Sequence, residues 1–149
     1  MKKLSFVSIL LMLSQALWSQ KSNYYTTNGY VAGGYDVVSY FSNTPVMGKP
    51  EYSAVYDGVK FKFSTKENLS VFKSKPQKYI PKYGGYCAYA IGKTGEKVSI
   101  DPKSFRIYGD QLFLFYKTKK YDTLQDWLKD EHHLFQEAEK NWMKLKKGN

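Results

Sequence analysis

Apolar and polar side chains alternate from Tyr52 to Phe63, with Asp57-Gly58 inside the alternation. Asp-Gly is a strong signal for a two-residue turn between antiparallel strands. This turn places Tyr56 opposite Val59. Farther from the turn, the same register places Tyr52 opposite Phe63. The aromatic and aliphatic residues then share one face, opposite the lysines, which predicts a β-hairpin with one buried face.

A second hairpin is predicted from Phe105 to Tyr116, around Gly109-Asp110. Glycine at the first central position suits a type II′ turn. The run from Phe113 to Phe115 is apolar on both faces of the strand, and we therefore expect this strand to lie in the interior.

Helical patterns follow both hairpins. Ser64 and Glu67 have the spacing of a capping box, in which the Ser64 hydroxyl accepts from the Glu67 amide, and a short helix through Phe72 should follow. Asp122 is expected to cap a later helix, and a bend is expected near Asp130. One apolar stripe then recurs at three- and four-residue steps through Leu124, Trp127, Leu128, Phe135, Ala138, Trp142 and Leu145. These elements predict an α+β fold: a small single domain with two β-hairpins, short helices and a C-terminal helical segment.

Residues 1–20 have the order of a secretory signal peptide. Lys2-Lys3 precedes an apolar run from Leu4 to Leu13, and small residues follow that run. The run is too short to span a membrane. We therefore expect a protein exported to the periplasm or the medium, with no integral membrane segment after cleavage. Residues 21–30 are expected to form a loose leader, and residues 31–145 the folded domain.

The chain is strongly basic, with 23 Lys and Arg against 13 Asp and Glu. The lysines are scattered, which is typical of solvated surfaces rather than of a nucleic-acid footprint. Together with export, this scatter predicts no nucleic-acid partner. Cys87 is the single cysteine, so no internal disulfide can form. The sequence indicates no particular oligomeric state.

The stretch from Lys78 to Ile91 has the character of a site, because it sets the single thiol among tyrosines and after two glycines. Paired glycines adopt positive φ readily, so a turn can bring these side chains together. Tyrosines can line a groove for sugars or aromatic ligands, or they can simply fill a small core. The predicted ligand-binding residues, which include part of the Gly33–Tyr40 segment, are Tyr35, Tyr40, Tyr83, Gly84, Gly85, Tyr86, Cys87 and Tyr89.

No catalytic residue is predicted, and the protein is interpreted as a non-catalytic binder of an unidentified small ligand. The alternative is a thiol-dependent redox protein or enzyme that uses Cys87. That alternative requires a nearby cation or helix N-terminus to favour the thiolate. For Cys87 itself, a buried thiol that only fills space is the other interpretation. A purely structural or interaction role in the envelope is the third interpretation of the protein.

No cofactor is predicted, although a metal or haem at Cys87 and a metal at His132 or His133 remain alternatives. Adjacent residues diverge by about 100° around a helix, so the two histidines do not have the spacing of a chelating pair. His132 falls on the apolar stripe and is expected to be packed, whereas His133 is expected to face solvent.

Three spaced stretches resemble the YHS domain family. The hairpin-to-helix stretch from Tyr56 to Ser64, which continues through Phe72 to Tyr79, resembles the core of a YHS domain. The stretches Gly34 to Phe41 and Tyr83 to Ala90 are similar to the exported, single-domain branch of the family. The resemblance implies a small, treble-clef-like α+β fold from Val31 to Trp142.

Metal-handling members of that family carry cysteines at set positions, and the resemblance places Ser39, Ser64 and Asn68 at those positions. Neutral hydroxyl and amide groups replace soft thiolate ligands poorly. The resemblance therefore implies an exported YHS-type protein that lacks the family's metal-binding cysteines.

Overall fold

Two sheets and five α-helices make up residues 23–148, the part of the chain that this computed structural model describes. The strands are β1 (Thr26–Thr27), β2 (Tyr30–Val31), β3 (Lys49–Tyr56), β4 (Val59–Phe63), β5 (Asp101–Tyr108) and β6 (Gln111–Phe115). The helices are α1 (Lys66–Ser74), α2 (Pro76–Tyr79), α3 (Ala88–Lys93), α4 (Thr123–Lys129) and α5 (Glu131–Lys147). Short 3-10 turns lie at Ala32–Gly34, Ser39–Ser42 and Lys82–Gly85. The predicted α+β class with two hairpins is confirmed.

The first hairpin belongs to a four-stranded sheet of order β1-β2-β4-β3, and Tyr56 pairs with Val59 at its turn as predicted. The predicted pairing of Tyr52 with Phe63 is wrong, because Phe63 pairs with Lys49 instead. The register shifts within β3, which is the edge strand of the sheet. Bulges are common at sheet edges, where an extra residue disturbs only one ladder.

The second hairpin, β5 and β6, lies between two hydrophobic clusters. Leu112 and Leu114 contribute to one cluster, and Phe113 and Phe115 contribute to the other. Successive side chains of a strand point to opposite faces, so the apolar run of β6 serves both cores. All four side chains are fully buried, which confirms that β6 is an interior strand. The first cluster also contains Val31, Val37, Tyr40, Phe61, Phe63 and Phe72, and the second contains Tyr83, Ile91, Trp127, Leu134 and Ala138.

Two helices form the C-terminal segment and meet at Asp130. The side chain of Asp122 caps α4 by accepting from the backbone N–H of Leu124 at 3.1 Å, as predicted. Helix α4 ends at Lys129 and α5 begins at Glu131, so the predicted bend is confirmed.

The bend changes which residues of α5 face the core. Leu134 and Ala138 of α5 are buried, whereas His132 of α5 is exposed, as is Leu128 near the end of α4. The expectation that His132 is packed is therefore wrong. The prediction of a single apolar stripe treated the segment as one continuous helix. Because the chain changes direction at Asp130, the positions that face the core are different in α5.

The Glu131 side chain ties α5 to the second hairpin and to α4. Its carboxylate accepts from Arg106 Nε at 2.9 Å and Nη2 at 3.0 Å, and from the Trp127 indole N–H at 3.0 Å. The hydrogen bond from Arg106 is the main cause that holds the pKa of Glu131 below its ordinary value of 4.5.

This lowered pKa predicts a pH-dependent contribution to stability. The contribution is complete above about pH 4.5 and is lost as the pH falls through the folded-state pKa of Glu131. We expect Glu131→Gln to be less stable than the wild type near pH 7, and this difference to shrink at about pH 3. Urea unfolding at both pH values measures it, with Glu51→Gln on the exposed edge strand as the control. An equal difference at both pH values would contradict the prediction.

The N-terminal part of the described chain lies against the domain. Strand β1 pairs with β2, and β2 runs parallel to β4. The expectation of a loose leader is therefore wrong for residues 23–30, while residues 21–22 and the predicted signal peptide at residues 1–20 lie outside the described residues. Within residues 23–148, no helix has both the length and the apolar character needed to cross a membrane.

Candidate ligand-binding cleft

The 3-10 turn at Lys82–Gly85 holds the N-terminal segment in place. Tyr83, Gly84 and Gly85 have φ angles of 57°, 61° and 80°, in the left-handed region that glycine adopts most easily. A Cβ atom on Gly84 would lie 1.7 Å from the carbonyl oxygen of Asn23. The Gly84 carbonyl accepts from the backbone N–H of Tyr25 at 2.9 Å. Glycine at position 84 thus lets residues 23–25 lie directly on the turn.

A cleft of about 540 Å³ opens beside this turn, between the N-terminal segment and α5. Its volume falls within the range of roughly 300–1,000 Å³ that is typical of small-ligand sites. Aromatic rings, amides and charges of both signs line it: Asn23, Tyr24, Asp57, Gln77, Ile80, Pro81, Lys82, Tyr83, Gly84, Gln111, Glu139, Trp142, Met143 and Lys146.

One wall of the cleft is held by Glu139. Its Oε1 lies 2.7 Å from Lys82 Nζ and accepts from the Tyr83 hydroxyl at 3.0 Å. Burial, followed by the Glu139 charge, raises the pKa of Tyr83 above its ordinary value. The Tyr83 hydroxyl therefore remains a hydrogen-bond donor at neutral pH.

Another part of the cleft wall is held by a second tyrosine and carboxylate. The Tyr24 hydroxyl donates to Asp57 Oδ2 at 2.9 Å. Burial, together with this hydrogen bond, raises the pKa of Tyr24. Each wall thus pairs a protonated tyrosine with a carboxylate across a large separation in sequence.

Trp142 adds an aromatic surface to the lining of the cleft. Its ring lies 6.0 Å from the Tyr83 ring and 6.3 Å from the Tyr86 ring, measured between centroids. The ammonium of Lys97 lies 5.8 Å from the Trp142 centroid and 5.6 Å from that of Tyr86. Contacts of this kind fix the orientation of the indole ring.

The structure brings only some of the predicted ligand-binding residues to this cleft. Tyr83 and Gly84 line it directly, Gly85 is buried behind them, and Tyr86 lies next to Trp142. The Tyr86 hydroxyl also reaches the Tyr24 carbonyl at 3.4 Å.

The remaining predicted tyrosines lie elsewhere. Tyr40 is fully buried in the first core, and its hydroxyl donates to the Pro102 carbonyl at 2.7 Å. Tyr35 pairs with Met47 near that core. Tyr89 lines a separate depression along α3 and α5. The tyrosines from the two halves of the chain therefore do not form one common groove, because each half packs into its own core.

Cys87 is fully buried at the start of α3. Its Sγ accepts from the backbone N–H of Tyr116 at 3.3 Å and lies 3.4 Å from the Thr123 hydroxyl. The thiol thus joins α3, the end of β6 and the start of α4, and it does not line the cleft. None of these contacts supports the predicted role of Cys87 as a ligand-binding residue.

The two histidines are both exposed on α5. His132 lies 3.1 Å from the amide nitrogen of Gln136, and His133 lines the depression that also contains Tyr89. Among residues 23–148, no group of three or more His, Cys, Asp and Glu side chains is arranged to hold a metal ion.

The positions that the YHS resemblance assigns to metal-binding cysteines meet at a buried carboxylate. Asp36 is fully buried, and its Oδ2 accepts from the Ser64 backbone N–H, the Ser64 hydroxyl and the Asn68 amide at 2.6–2.9 Å. Its Oδ1 accepts from the Val38 N–H at 2.9 Å. The Ser39 hydroxyl donates to the Asp36 backbone carbonyl at 2.6 Å. We call these residues the Asp36 cluster.

The Asp36 cluster does not fit a soft metal ion. Its hydroxyl and amide groups are neutral, and they already donate to Asp36. Zinc and copper(I) sites depend on thiolate or imidazole ligands, which this cluster lacks.

Ser64 is not the helix cap that the sequence predicted. Thr65 is the N-cap of α1, and its hydroxyl accepts from the Asn68 backbone N–H at 3.0 Å. The predicted capping box was therefore displaced by one residue, because Ser64 is committed to Asp36.

Several cleft residues were not identified from the sequence: Tyr24, Asp57, Lys82, Glu139 and Trp142. Two signals could have pointed to them. Tyr24 and Tyr25 are adjacent aromatic residues within the otherwise polar stretch from Lys21 to Asn28. Trp142 is a large aromatic residue in the last turns of an amphipathic helix.

Comparison with protein-family models, curated proteins and solved structures finds no match to this chain.

Proposed function

We propose that this protein is an exported, non-catalytic YHS-type binding module whose small ligand occupies the cleft beside Lys82–Gly85. The observation that carries the proposal is the makeup of that cleft. Aromatic rings, amides and paired charges surround an opening of ligand size, and Tyr83 and Gly84 of the predicted site form part of its wall. Small-molecule sites are usually concave openings of this size, in which polar groups fix the orientation of the ligand.

The YHS resemblance is supported by the Asp36 cluster. Ser39, Ser64 and Asn68 were assigned to metal-ligand positions from separate parts of the sequence, and all three hydrogen-bond to Asp36. Their convergence is what a correct correspondence with the family would require. Hydrogen bonds to a carboxylate then connect the segments that a metal would otherwise connect.

The thiol-dependent alternative has less support. Cys87 is fully buried and engaged by Tyr116 and Thr123, so an oxidant or substrate would have to separate α3 from β6 to reach it. Reactive cysteines are at least partly exposed.

Acrylamide quenching of tryptophan fluorescence tests the proposal, because Trp127 is fully buried while Trp142 lines the cleft. Expression of the mature protein without residues 1–20 removes Trp18 and provides a background with only these two of the chain's three tryptophans. The probes are neutral sugars, amino acids, nucleosides and dicarboxylates. We expect at least one of these classes to protect Trp142 from quenching in a saturable manner.

The control is Trp142→Phe in the same background, in which the protection should disappear. If no class protects Trp142, or if the protection persists in Trp142→Phe, the proposed binding site is wrong.

A further inference from the structure

The charges in the cleft are balanced within the protein. Lys82 and Lys146 face Asp57 and Glu139 in the lining. Lys82 and Glu139 form an ion pair at 2.7 Å, and Asp57 accepts from the Tyr24 hydroxyl. Two lysines and two carboxylates thus line the cleft, and a ligand with a net charge would upset this balance.

The polar groups that remain in the cleft suit hydroxyl groups. The hydrogen bonds described above use Oδ2 of Asp57 and Oε1 of Glu139, so Oδ1 and Oε2 can accept from a ligand. Gln77 and Gln111 also line the cleft, and each amide can both donate and accept. A ligand rich in hydroxyls matches this mixture, because each hydroxyl is also both donor and acceptor.

The cleft also offers a flat apolar surface. The ring of Trp142 is held by Tyr83, Tyr86 and Lys97, and Met143 beside it is 54% exposed. Aromatic rings of this kind bind molecules that carry an apolar face together with polar edges. The C–H face of a sugar ring has this character, and its hydroxyls lie around the edge.

From these observations we propose that the ligand of the cleft is a neutral saccharide, with the C–H face of a sugar ring on Trp142 and its hydroxyls on Gln77, Gln111, Asp57 and Glu139. The inference rests on the proposed function, since it names the class of ligand for the same cleft. The bound sugar carries no net charge, because the two lysines and two carboxylates of the lining already balance each other in number.

Isothermal titration calorimetry with matched sugars tests this inference. The neutral probes are glucose, galactose, mannose and N-acetylglucosamine, and the charged probes are glucosamine, galactosamine, glucuronate and galacturonate. We expect saturable binding of at least one neutral sugar. Its charged counterparts should bind at least about tenfold more weakly, because a poorly paired charge costs about 1.4 kcal/mol of binding free energy.

A double variant locates the binding. Replacing Gln77 and Gln111 by alanine removes hydrogen bonds of about 1 kcal/mol each, so we expect roughly thirtyfold weaker sugar binding. The matched control replaces Gln125 and Gln136 on the exposed faces of α4 and α5, and it should bind like the wild type.

The failures of the two proposals are distinguishable. If amino acids, nucleosides or dicarboxylates protect Trp142 but no neutral sugar binds, the saccharide inference is wrong and the proposed function stands. Equal binding of charged and neutral sugars, or unchanged sugar binding in the Gln77 and Gln111 double variant, also overturns the inference. If no probe of any class binds, both proposals fail.

Discussion

Asp36→Asn is expected to lower the free energy of unfolding by about 3 kcal/mol. Losses of this size are measured when one partner of a buried, hydrogen-bonded charged interaction is replaced. The fully buried Asp36 Oδ2 accepts from three donors on Ser64 and Asn68. An asparagine in that place would turn its side-chain NH2 group, a hydrogen-bond donor, towards these donors. Chemical denaturation of the wild type and the variant measures the loss.

Asp110→Asn is the matched control for this substitution. Asp110 is an exposed turn residue, 70% exposed at its side chain, with one ion pair to Lys78. Its replacement should change the free energy of unfolding by less than about 1 kcal/mol. Equal losses in the two variants would show that the Asp36 cluster does not hold its segments together.

Gly84→Ala is expected to have the second large effect, a loss of about 3 kcal/mol in unfolding free energy. About 1 kcal/mol comes from the left-handed backbone and the rest from overpacking. The added Cβ would lie 1.7 Å from the Asn23 carbonyl oxygen, so the N-terminal segment must move away from the turn. Because Asn23 and Tyr24 line the cleft, ligand protection of Trp142 should be lost as well.

Gly109→Ala separates the two causes. Gly109 has a similar φ of 56°, but an added Cβ there would meet nothing within 4 Å. This variant should show only the backbone cost and should keep the protection of Trp142. If Gly84→Ala is no more destabilising than Gly109→Ala, the close approach of Asn23 to the turn is contradicted.

The hairpins could be predicted from the sequence because their signals are local. Asp57-Gly58 and Gly109-Asp110 each mark a turn between strands that adjoin in sequence, and both hairpins are present. The continuous apolar run of β6 likewise predicted an interior strand. The predictions were wrong where the tertiary structure, rather than the local pattern, decides. The pairing register of β3 and the buried face of α5 after Asp130 are the two cases.

The cleft could be predicted only in part. Tyr83 and Gly84 stood out because the glycine pair and the tyrosines are adjacent in sequence. Their partners come from distant segments, Tyr25 before the first strand and Glu139 in the middle of α5. No periodicity or spacing relates such residues, since their proximity depends on how both cores assemble.

The Asp36 cluster shows the same limit. The sequence predicted that Ser64 caps α1 and did not relate it to Asp36. In the structure the two residues hydrogen-bond to each other across 28 positions. Each residue is a good local cap by type, and only the tertiary fold decides between a local and a distant partner.

The central claim is that the ligand binds at the Gly84 turn rather than at Cys87 or the Asp36 cluster. A two-dimensional ¹H–¹⁵N NMR titration, with the probe that best protects Trp142, tests it most directly. The account predicts shifts of the Gly84 amide, the Trp142 indole N–H and the Gln77 side-chain amide, while the signals of Cys87 and the Asn68 side chain stay in place. Shifts centred on Cys87 or Asn68 instead would contradict it.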